Sequence, residues 1–114
     1  MNSTRQVFWT DVAENDLKEI IGYISIRNPS DTNEILKKIK SKASSLHTFP
    51  ERGRIVPELQ KQGISHYREM IISPWRLIHR IAEKEIFVLS FLDSRQNIEN
   101  ILLNRLIHKR SRGA

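Results

Sequence analysis

The sequence has no cysteine, and it contains only four glycines and four prolines in 114 residues. Without cysteine the chain can form no disulfide framework, no thiolate zinc site and no cysteine nucleophile. The longest uncharged apolar run, Ile86 to Leu92, is far shorter than the ~20 residues that a membrane-spanning helix requires. The first ten residues lack the apolar core of a signal peptide. We therefore expect a cytoplasmic protein that does not bind membranes.

Composition predicts one ordinary globular domain. The chain is 39% hydrophobic and 28% charged, which is within the range of globular domains. Folding at this length hides roughly two-thirds of the surface of the unfolded chain, which is enough for a single core. No internal repeat or low-complexity stretch divides the sequence. We expect residues 1–114 to form a single domain.

Positive charge is concentrated in the second half of the chain. Nineteen lysines and arginines outnumber thirteen acidic residues, which gives a formal net charge of +6. Residues 51–114 contain twelve of the basic residues and seven of the acidic ones. A basic half indicates a polyanionic partner, either nucleic acid or an acidic protein segment. The alternative is that the charge only keeps a small protein in solution.

The N-terminal half predicts a short strand and two helices. The β-branched and aromatic residues within Thr4–Trp9 favour a strand. Thr10 stands at an N-cap position, and apolar residues recur at helical spacing over 11–26. Asn28-Pro29 is typical of a second helix start, and Pro50 ends that helix. The short link predicts an antiparallel helical hairpin.

The C-terminal half predicts three strands and a last helix. Residues 51–63 contain two glycines and a proline among charges, which indicates a turn and an irregular connection. The strands are expected at His66–Ser73, Trp75–Ala82 and Glu85–Leu92, and residues 98–114 form a helix from Ile98 to Ile107 followed by a basic tail. The predicted class is α+β, a small antiparallel sheet packed against the N-terminal hairpin in the order β-α-α-β-β-β-α.

Alternation along the strands predicts a cationic surface. Trp75, Leu77, His79 and Ile81 share one face of their strand, and we expect this face to pack on the hairpin. Arg76 and Arg80 then point outward, and Arg68 of the preceding strand can join them. Such a platform suits phosphates or carboxylates. The alternative is that these arginines pair with neighbouring acids, namely Glu58, Glu69, Glu83 or Asp93.

Motifs for metal, cofactor or nucleophilic chemistry are absent from the sequence. The histidines have no metal-ligand spacing, and there is neither a phosphate-binding glycine loop nor a glycine-flanked nucleophilic serine. We expect no metal and no cofactor. His79 is expected to be a core histidine with satisfied hydrogen bonds, and Asp93 or Ser94 to be the N-cap of the last helix.

Four segments together resemble the RelE/ParE superfamily, the toxins of bacterial type II toxin–antitoxin systems. They are TDVAENDLKEIIGYI after a short strand, HTFPERGR after the second helix, YREMIISPWRLIHRI, and EIFVLSFLDSRQNI. The likeness extends over residues 5–97. It implies the fold given above and a growth-arresting toxin, as in plasmid stabilization, that is neutralised by a cognate antitoxin.

The resemblance leaves the target open between two classes. ParE-like members inhibit DNA gyrase without enzymatic chemistry, and RelE-like members are ribosome-dependent mRNA endoribonucleases. A ribonuclease would stabilise phosphate charge and transfer protons with a set that consists of Arg68, Arg76, Arg95 and either His66 or Tyr67. The set is incomplete, because the strand before Arg76 ends without a base and Asp93 follows the last strand. The hairpin and the FPERGR turn are closer to ParE, so gyrase is the preferred target. A third alternative is an inactive toxin fold that only binds its antitoxin.

The resemblance also implies an antitoxin-binding surface. We expect the antitoxin to contact the hairpin at Leu17, Ile20 and Ile24, together with the sheet edge and the arginine face of Arg68, Arg76 and Arg80. The last helix is expected to pack on its own sheet, with a homodimer as an alternative use of its apolar stripe.

Overall fold

The computed structural model describes the backbone of residues 5–111 and the side chains of residues 5–107. The strands are β1 (Gln6–Trp9), β2 (Arg54–Ile55), β3 (Arg68–Ile72), β4 (Trp75–Ile81) and β5 (Glu85–Asp93), and the helices are α1 (Asp11–Arg27), α2 (Thr32–Ser44), α3 (Pro57–Gln60) and α4 (Ile98–Ser111), with a 3-10 turn at Ser45–His47. Lys109, Arg110 and Arg112 of the expected basic tail lie outside the described side chains. No helix in the described part of the chain is both long and apolar enough to cross a membrane.

The strands form one five-stranded sheet in the order β1-β5-β4-β3-β2. Each strand from β2 to β5 pairs antiparallel with the next one along the chain, whereas β1 pairs parallel to β5. β5 lies inside the sheet, as its apolar residues on both faces predict. The predicted α+β class is confirmed. The expectation that every strand pairs antiparallel is wrong for β1, which makes the sheet mixed. The short β2 lies in the segment predicted to be irregular and adds a strand that the sequence did not predict.

Helix α1 begins with Thr10 as its N-cap, as the sequence predicts. Thr10 Oγ1 accepts a hydrogen bond from the backbone N–H of Ala13 at 3.2 Å and donates to the carbonyl oxygen of Val88 at 3.0 Å. One side chain therefore satisfies a free donor of the first helical turn and ties the helix to β5.

The link between the two helices differs from the prediction. Asn28 closes α1, since its N–H donates to the carbonyl oxygen of Ile24 at 2.7 Å. α2 begins only at Thr32, so the predicted start at Asn28-Pro29 is wrong. The antiparallel hairpin itself forms. The carboxylate of Glu14 near the start of α1 lies 3.9 Å from the ammonium group of Lys40 near the end of α2, as antiparallel helices require.

The hairpin covers one face of the sheet with apolar side chains. The buried residues of this cluster are Ala13 and Leu17 of α1, Ile39 and Ala43 of α2, Leu46 of the 3-10 turn, and Met70, Ile72, Leu77, Ile86, Val88 and Phe91 of the sheet. The register of β4 against β5 shifts between Ile78 and His79, which leaves Leu89 without a paired residue on β4. This bulge brings Phe91 to the face that already carries Val88.

The opposite face is covered by α3 and α4, so the expectation of an open second face is wrong. Its buried apolar cluster consists of Val56, Leu59, Ile78, Leu92, Ile98 and Leu102. The predicted packing of the last helix on its own sheet is confirmed. The N-cap of α4 is Asn97, whose Oδ1 accepts from the N–H of Asn100 at 3.2 Å, rather than Asp93 or Ser94.

Gly53 allows β2 to pair with β3. Its φ is 94°, a backbone conformation that L side chains rarely adopt. A Cβ at this position would collide with the backbone carbonyl of Glu69. The Arg52-Gly53-Arg54 turn therefore brings Arg54 directly beside Glu69, its partner in the strand register.

Candidate functional site

Arg76 of β4 is the central residue of the predicted cationic surface, and the structure encloses it in a set of ion pairs. Its Nη1 and Nη2 donate to the two carboxylate oxygens of Glu58 at 2.8 and 2.6 Å. Its Nε donates to Glu69 Oε1 at 2.7 Å, and Arg54 Nε donates to the other Glu69 oxygen at 2.6 Å. We call Arg54, Glu58, Glu69 and Arg76 the arginine–carboxylate cluster.

Strand register explains how three members of the cluster meet. Glu69 lies opposite Arg54 on β2 and opposite Ile78 on β4. Residues paired across antiparallel strands share a face of the sheet, and so do residues two apart on one strand. Arg76, two residues before Ile78, is therefore on the same face as Glu69. Glu58 joins them from α3, which begins at Pro57, the residue type that suits the first helical position.

The cluster is largely shielded from water. The side chain of Glu69 is 0% exposed, that of Arg76 is 8% exposed and that of Glu58 is 27% exposed. The hydrogen bond from Arg76 lowers the pKa of Glu58, and the same bond raises the pKa of Arg76 against the opposing effect of burial. Both groups therefore stay charged, and carboxylates occupy the donors of this guanidinium.

The expectation that Arg76 points outward into solvent is wrong. The strand alternation placed Arg76 on the correct face, but α3 and α4 cover that face. The alternative from the sequence, pairing of Arg76 with Glu58 and Glu69, is confirmed. Arg76 holds the sheet to α3.

Arg68 does not join Arg76 on one face. It lies opposite His79 in the register of β3 and β4, so its side chain is on the hairpin face of the sheet. Its Nη1 donates to the carbonyl oxygen of Glu51 at 3.3 Å. The expected three-arginine platform is wrong, because β3 begins in a register that turns Arg68 to the other side.

Arg80 is the most available arginine of the expected platform. It is half-buried, and its guanidinium lies 5.7 Å from the centroid of the Phe87 ring. Among the described residues it has no carboxylate partner within ion-pair distance. Since its donors are free and its ring contact is weak, Arg80 can bind an anionic group of a partner.

The structure does not bring the expected ribonuclease residues together. His66 is exposed and stacks on Tyr67 with ring centroids 4.4 Å apart. Tyr67 lies four residues before Ile71, which is opposite Arg76, and this spacing corresponds to about 13 Å along a strand. Arg95 lies in the loop after β5 and is bound to Asp93, with Nη2 to Oδ2 at 2.6 Å and Nε to Oδ1 at 2.9 Å.

The salt bridge between Arg95 and Asp93 also changes the pKa of the aspartate. The hydrogen bond from Arg95 lowers the pKa of Asp93 to about 2. Asp93 is therefore an anion at any physiological pH, and its charge is paired with that of Arg95.

The residues expected to contact the antitoxin divide between core and surface. Leu17 is 3% exposed and belongs to the core cluster of the hairpin face. It faces the sheet, so the expectation that it contacts a partner is wrong for this packing. Ile20 and Ile24 are half-buried. The apolar side chains that α1 exposes most are Tyr23 and Ile26.

The expectation that His79 is a core histidine with satisfied hydrogen bonds is half right. The side chain is completely buried. Neither ring nitrogen meets the distance and angle of a hydrogen bond with the described residues, although the backbone of Pro50 acts to raise the pKa as a partner would. Burial lowers the pKa of His79 to about 4, and the positive charge of Arg68 acts in the same direction. His79 is therefore neutral in the folded protein at pH 7.

Asp16 and Arg105 form a connection that the sequence analysis missed. Arg105 of α4 donates to both oxygens of Asp16 on α1 at 2.8 and 3.0 Å, and to Ser90 Oγ at 2.8 Å. Asp16 also accepts from the N–H of Phe91 at 2.9 Å, a donor beyond the end of β1. No local pattern reveals a pair separated by 89 residues.

Comparison with known proteins assigns the class of the molecule. Residues 7–98 match the model of a family described as ParE toxin of type II toxin–antitoxin system, parDE. The chain belongs to the ParE toxin family. The resemblance to the RelE/ParE superfamily, closer to ParE than to RelE, is confirmed. No curated protein matches the sequence.

One solved structure shares the fold at low sequence identity, and a second is similar to a lower degree. The toxin–antitoxin structure titled chromosomal ParDE TA system from P. aeruginosa includes a chain that is 19% identical, with a TM-score of 0.66 over 80% of this chain and 97% of that one. The E. coli DinJ–YafQ toxin–antitoxin complex includes a chain that is 20% identical, with a TM-score of 0.44 over 79% of this chain and 92% of that one.

Proposed function

We propose that this chain is a toxin that inhibits DNA gyrase and is held inactive by a cognate antitoxin. Membership of a family of parDE toxins supports the toxin–antitoxin role. The ParDE structure with the same fold contains an antitoxin by its title, which supports a protein partner for this chain. The net charge of +6 suits both an acidic antitoxin segment and a target that holds DNA.

The observation that carries the choice of gyrase over messenger RNA is the enclosure of Arg76. Cleavage of RNA needs cations that reach the charge developing on the phosphate. Arg76 would have to leave Glu58 and Glu69 to do so, and Glu69 would then remain buried with less compensation. Breaking a buried ion pair in this way costs about 3–5 kcal/mol. A role in holding the fold accounts for Arg76 without that cost.

Arg80 is our candidate for a contact with the target. Its guanidinium is free of carboxylates in the described part of the chain and lies 5.7 Å from the centroid of the Phe87 ring. A charge-assisted hydrogen bond to phosphate or carboxylate contributes about 1.5–3 kcal/mol. We therefore expect Arg80→Ala to weaken gyrase inhibition by about tenfold or more without unfolding the protein.

The test compares two reactions with one preparation of the purified chain. In a supercoiling assay with gyrase and relaxed plasmid, we expect loss of supercoiling and accumulation of cleaved DNA, both reversed by the antitoxin. In a translation mixture with ribosomes and messenger RNA, we expect no cleavage. Cleavage of mRNA by the wild-type chain that the antitoxin prevents would overturn the proposal. Unimpaired growth and unimpaired gyrase at confirmed protein levels would instead indicate an inactive toxin fold.

A further inference from the structure

The margin of the second sheet face, at the turn between β4 and β5, lies beyond the cover of α3 and α4. Ile78 of β4 is buried under these helices, whereas Arg80, two residues further along the same face, is half-buried. Arg80 lies opposite Phe87 of β5, and Phe87 lies opposite Phe8 of β1. Phe8 is 43% exposed and Phe87 is half-buried. Two phenylalanines and an arginine are therefore accessible side by side on this margin.

These side chains form one row across the sheet. The rings of Phe8 and Phe87 have centroids 6.0 Å apart and planes inclined by 28°, and the guanidinium of Arg80 lies 5.7 Å from the Phe87 centroid. The register of β3 against β4, continued by one residue, places the half-buried Tyr67 opposite Arg80. Since neighbouring strands are about 4.8 Å apart, the row is about 14 Å long. We call Phe8, Phe87, Arg80 and Tyr67 the aromatic row.

The side chains of the aromatic row suit unpaired nucleobases. Every base has a π-face that can stack on an aromatic ring, whatever the sequence. Sheets that bind single-stranded RNA through exposed aromatic side chains stack two or three bases on them, and a row of about 14 Å has room for a similar number. Arg80 has no carboxylate partner among the described residues, so its guanidinium can form charge-assisted hydrogen bonds with a phosphate between two stacked bases.

We propose that the aromatic row binds an unpaired segment of single-stranded nucleic acid, with bases stacked on Phe8 and Phe87 and a phosphate held by Arg80. The inference goes beyond the proposed function, since it concerns binding by this chain alone. Glu85 lies on the same face two residues before Phe87 and repels phosphate on that side, and α3 and α4 border the other side. The bound strand therefore follows the row across the β-strands.

Charge and chemistry favour a nucleic acid over other occupants of this surface. An acidic protein segment pairs with Arg80 but has no flat ring for Phe8 and Phe87, whereas a nucleotide supplies both an anion and a ring. A second copy of this chain would bring Arg80, in the middle of the row, close to its own counterpart, and like charges disfavour such a contact. The net charge of +6 also favours a polyanion.

The experiment measures the binding of a fluorescent oligonucleotide to the purified full chain by anisotropy, without gyrase or antitoxin. The probes have one mixed sequence of about ten nucleotides, prepared as single-stranded DNA, as single-stranded RNA and as a DNA duplex. We expect both single strands to bind more tightly than the duplex, because its bases are stacked on each other and do not reach the rings. The ratio of the two single-strand affinities shows which sugar the row prefers.

Substitutions at Phe8 separate stacking from apolar contact. Phe8→Leu keeps an apolar side chain without a ring, and we expect it to weaken single-strand binding by about fivefold or more. Phe8→Trp keeps a ring and should bind at least as well as the wild type. Phe49→Leu is the matched control. Phe49 is 55% exposed and has the guanidinium of Arg52 5.0 Å from its centroid, but it lies in the loop before β2, so affinity should not change. Circular dichroism shows that each variant is folded.

Substitution of Arg80 tests the phosphate contact. For a single strand, the slope of log affinity against log salt concentration changes by about 0.7 for each phosphate that the protein neutralises. We expect Arg80→Gln to reduce the slope by about this amount. Phe8→Leu should lower affinity and leave the slope unchanged, because stacking involves no counterion release.

Three results would overturn the inference. The first is equal affinity of Phe8→Leu and Phe49→Leu for both single strands, and the second is a duplex bound as tightly as the single strands. The third is a wild-type dimer that Phe8→Leu dissociates, which would assign the row to a second copy. Each of these results leaves the proposed function standing, because inhibition of gyrase is measured separately.

Discussion

The two faces of the sheet are closed by different chemistry. On the hairpin face, Leu77 and Phe91 meet a nearly continuous apolar layer from α1 and α2, and His79 is its buried polar exception. On the other face, Glu69 and Arg76 are buried as ions beside the smaller apolar cluster under α3 and α4. The first face depends on surface area removed from water, and the second depends on specific partners. A single substitution should therefore have different consequences on each side.

The largest effect is expected from removal of the central arginine on the ionic face. Arg76→Ala leaves Glu69 buried with only Arg54 as its partner, so we expect a loss of about 3–5 kcal/mol in the free energy of unfolding. Urea denaturation at pH 7 measures it. Arg80→Ala on the same strand is the matched control and should cost less than about 1 kcal/mol, because Arg80 has no carboxylate partner among the described residues.

A double variant sharpens the same comparison. Arg76→Met with Glu69→Leu replaces the buried ions by apolar side chains of similar size, and such replacements are often neutral or stabilising. We expect it to recover most of the stability that Arg76→Ala loses. If the double variant were as unstable as Arg76→Ala, the buried ion pair would have to stabilise the fold by more than the cost of burying its two charges.

The polar exception on the apolar face should make stability depend on pH. The pKa of His79 is lowered to about 4 by burial, whereas it is about 6.5 in the unfolded chain. Above pH 6.5 His79 is neutral in both the folded and the unfolded chain, so it adds no pH dependence to the free energy of unfolding. As the pH falls from 6.5 to 4, the unfolded chain gains a proton that the folded chain excludes, and stability falls by up to about 3 kcal/mol. Urea denaturation at pH 7.0 and 4.5 measures the change.

His79→Leu is the control for that pH dependence. The carboxylates, including Glu58 and Asp93, are common to both proteins, so the difference between the two profiles isolates His79. Identical slopes for wild type and variant would contradict the burial of a neutral histidine.

The apolar cluster under α4 should respond like a small core. Leu102→Ala removes a side chain that is 5% exposed, and we expect a loss of about 2–3 kcal/mol. Ile107 is on the same helix and 60% exposed, so Ile107→Ala should change stability by less than about 0.5 kcal/mol. Thermal denaturation of both variants makes the comparison. Equal effects would mean that α4 does not pack through Leu102.

The smallest expected change in stability comes from the N-caps of the two helices of the hairpin. Thr10→Ala loses the cap hydrogen bond to Ala13 and should destabilise the protein by about 1 kcal/mol. Asp31 at the start of α2 makes no side-chain cap hydrogen bond, so Asp31→Ala should cost less than about 0.5 kcal/mol. Urea titration distinguishes the two, and a larger loss for Asp31→Ala would contradict the cap assignment.

Local patterns predicted the hairpin face because its determinants repeat along each element. Thr10 capped α1 as expected, and the helical spacing of Ala13 and Leu17 identified the buried stripe of α1. Alternation in β4 separated Leu77 from Arg76 correctly. These signals are short-range consequences of helical and strand geometry, so one sequence was enough to find them.

The ionic face could not be predicted to the same depth. α3 is only four residues long, too short for a periodic pattern, yet it brings Glu58 to Arg76. The pair of Asp16 and Arg105 depends on the tertiary arrangement of the first and last helices. Which acid neutralises which arginine is decided by register and by elements far apart in sequence. This is why strand alternation placed Arg76 on the right face but failed to predict its burial.

The central claim is that Arg76 holds the fold and does not touch the target. The direct test is gyrase inhibition by Arg76→Met with Glu69→Leu, at a concentration where circular dichroism shows the variant folded. The account predicts supercoiling inhibition close to that of the wild-type chain. A double variant that is folded and as stable as the wild type, but no longer inhibits gyrase, would contradict it.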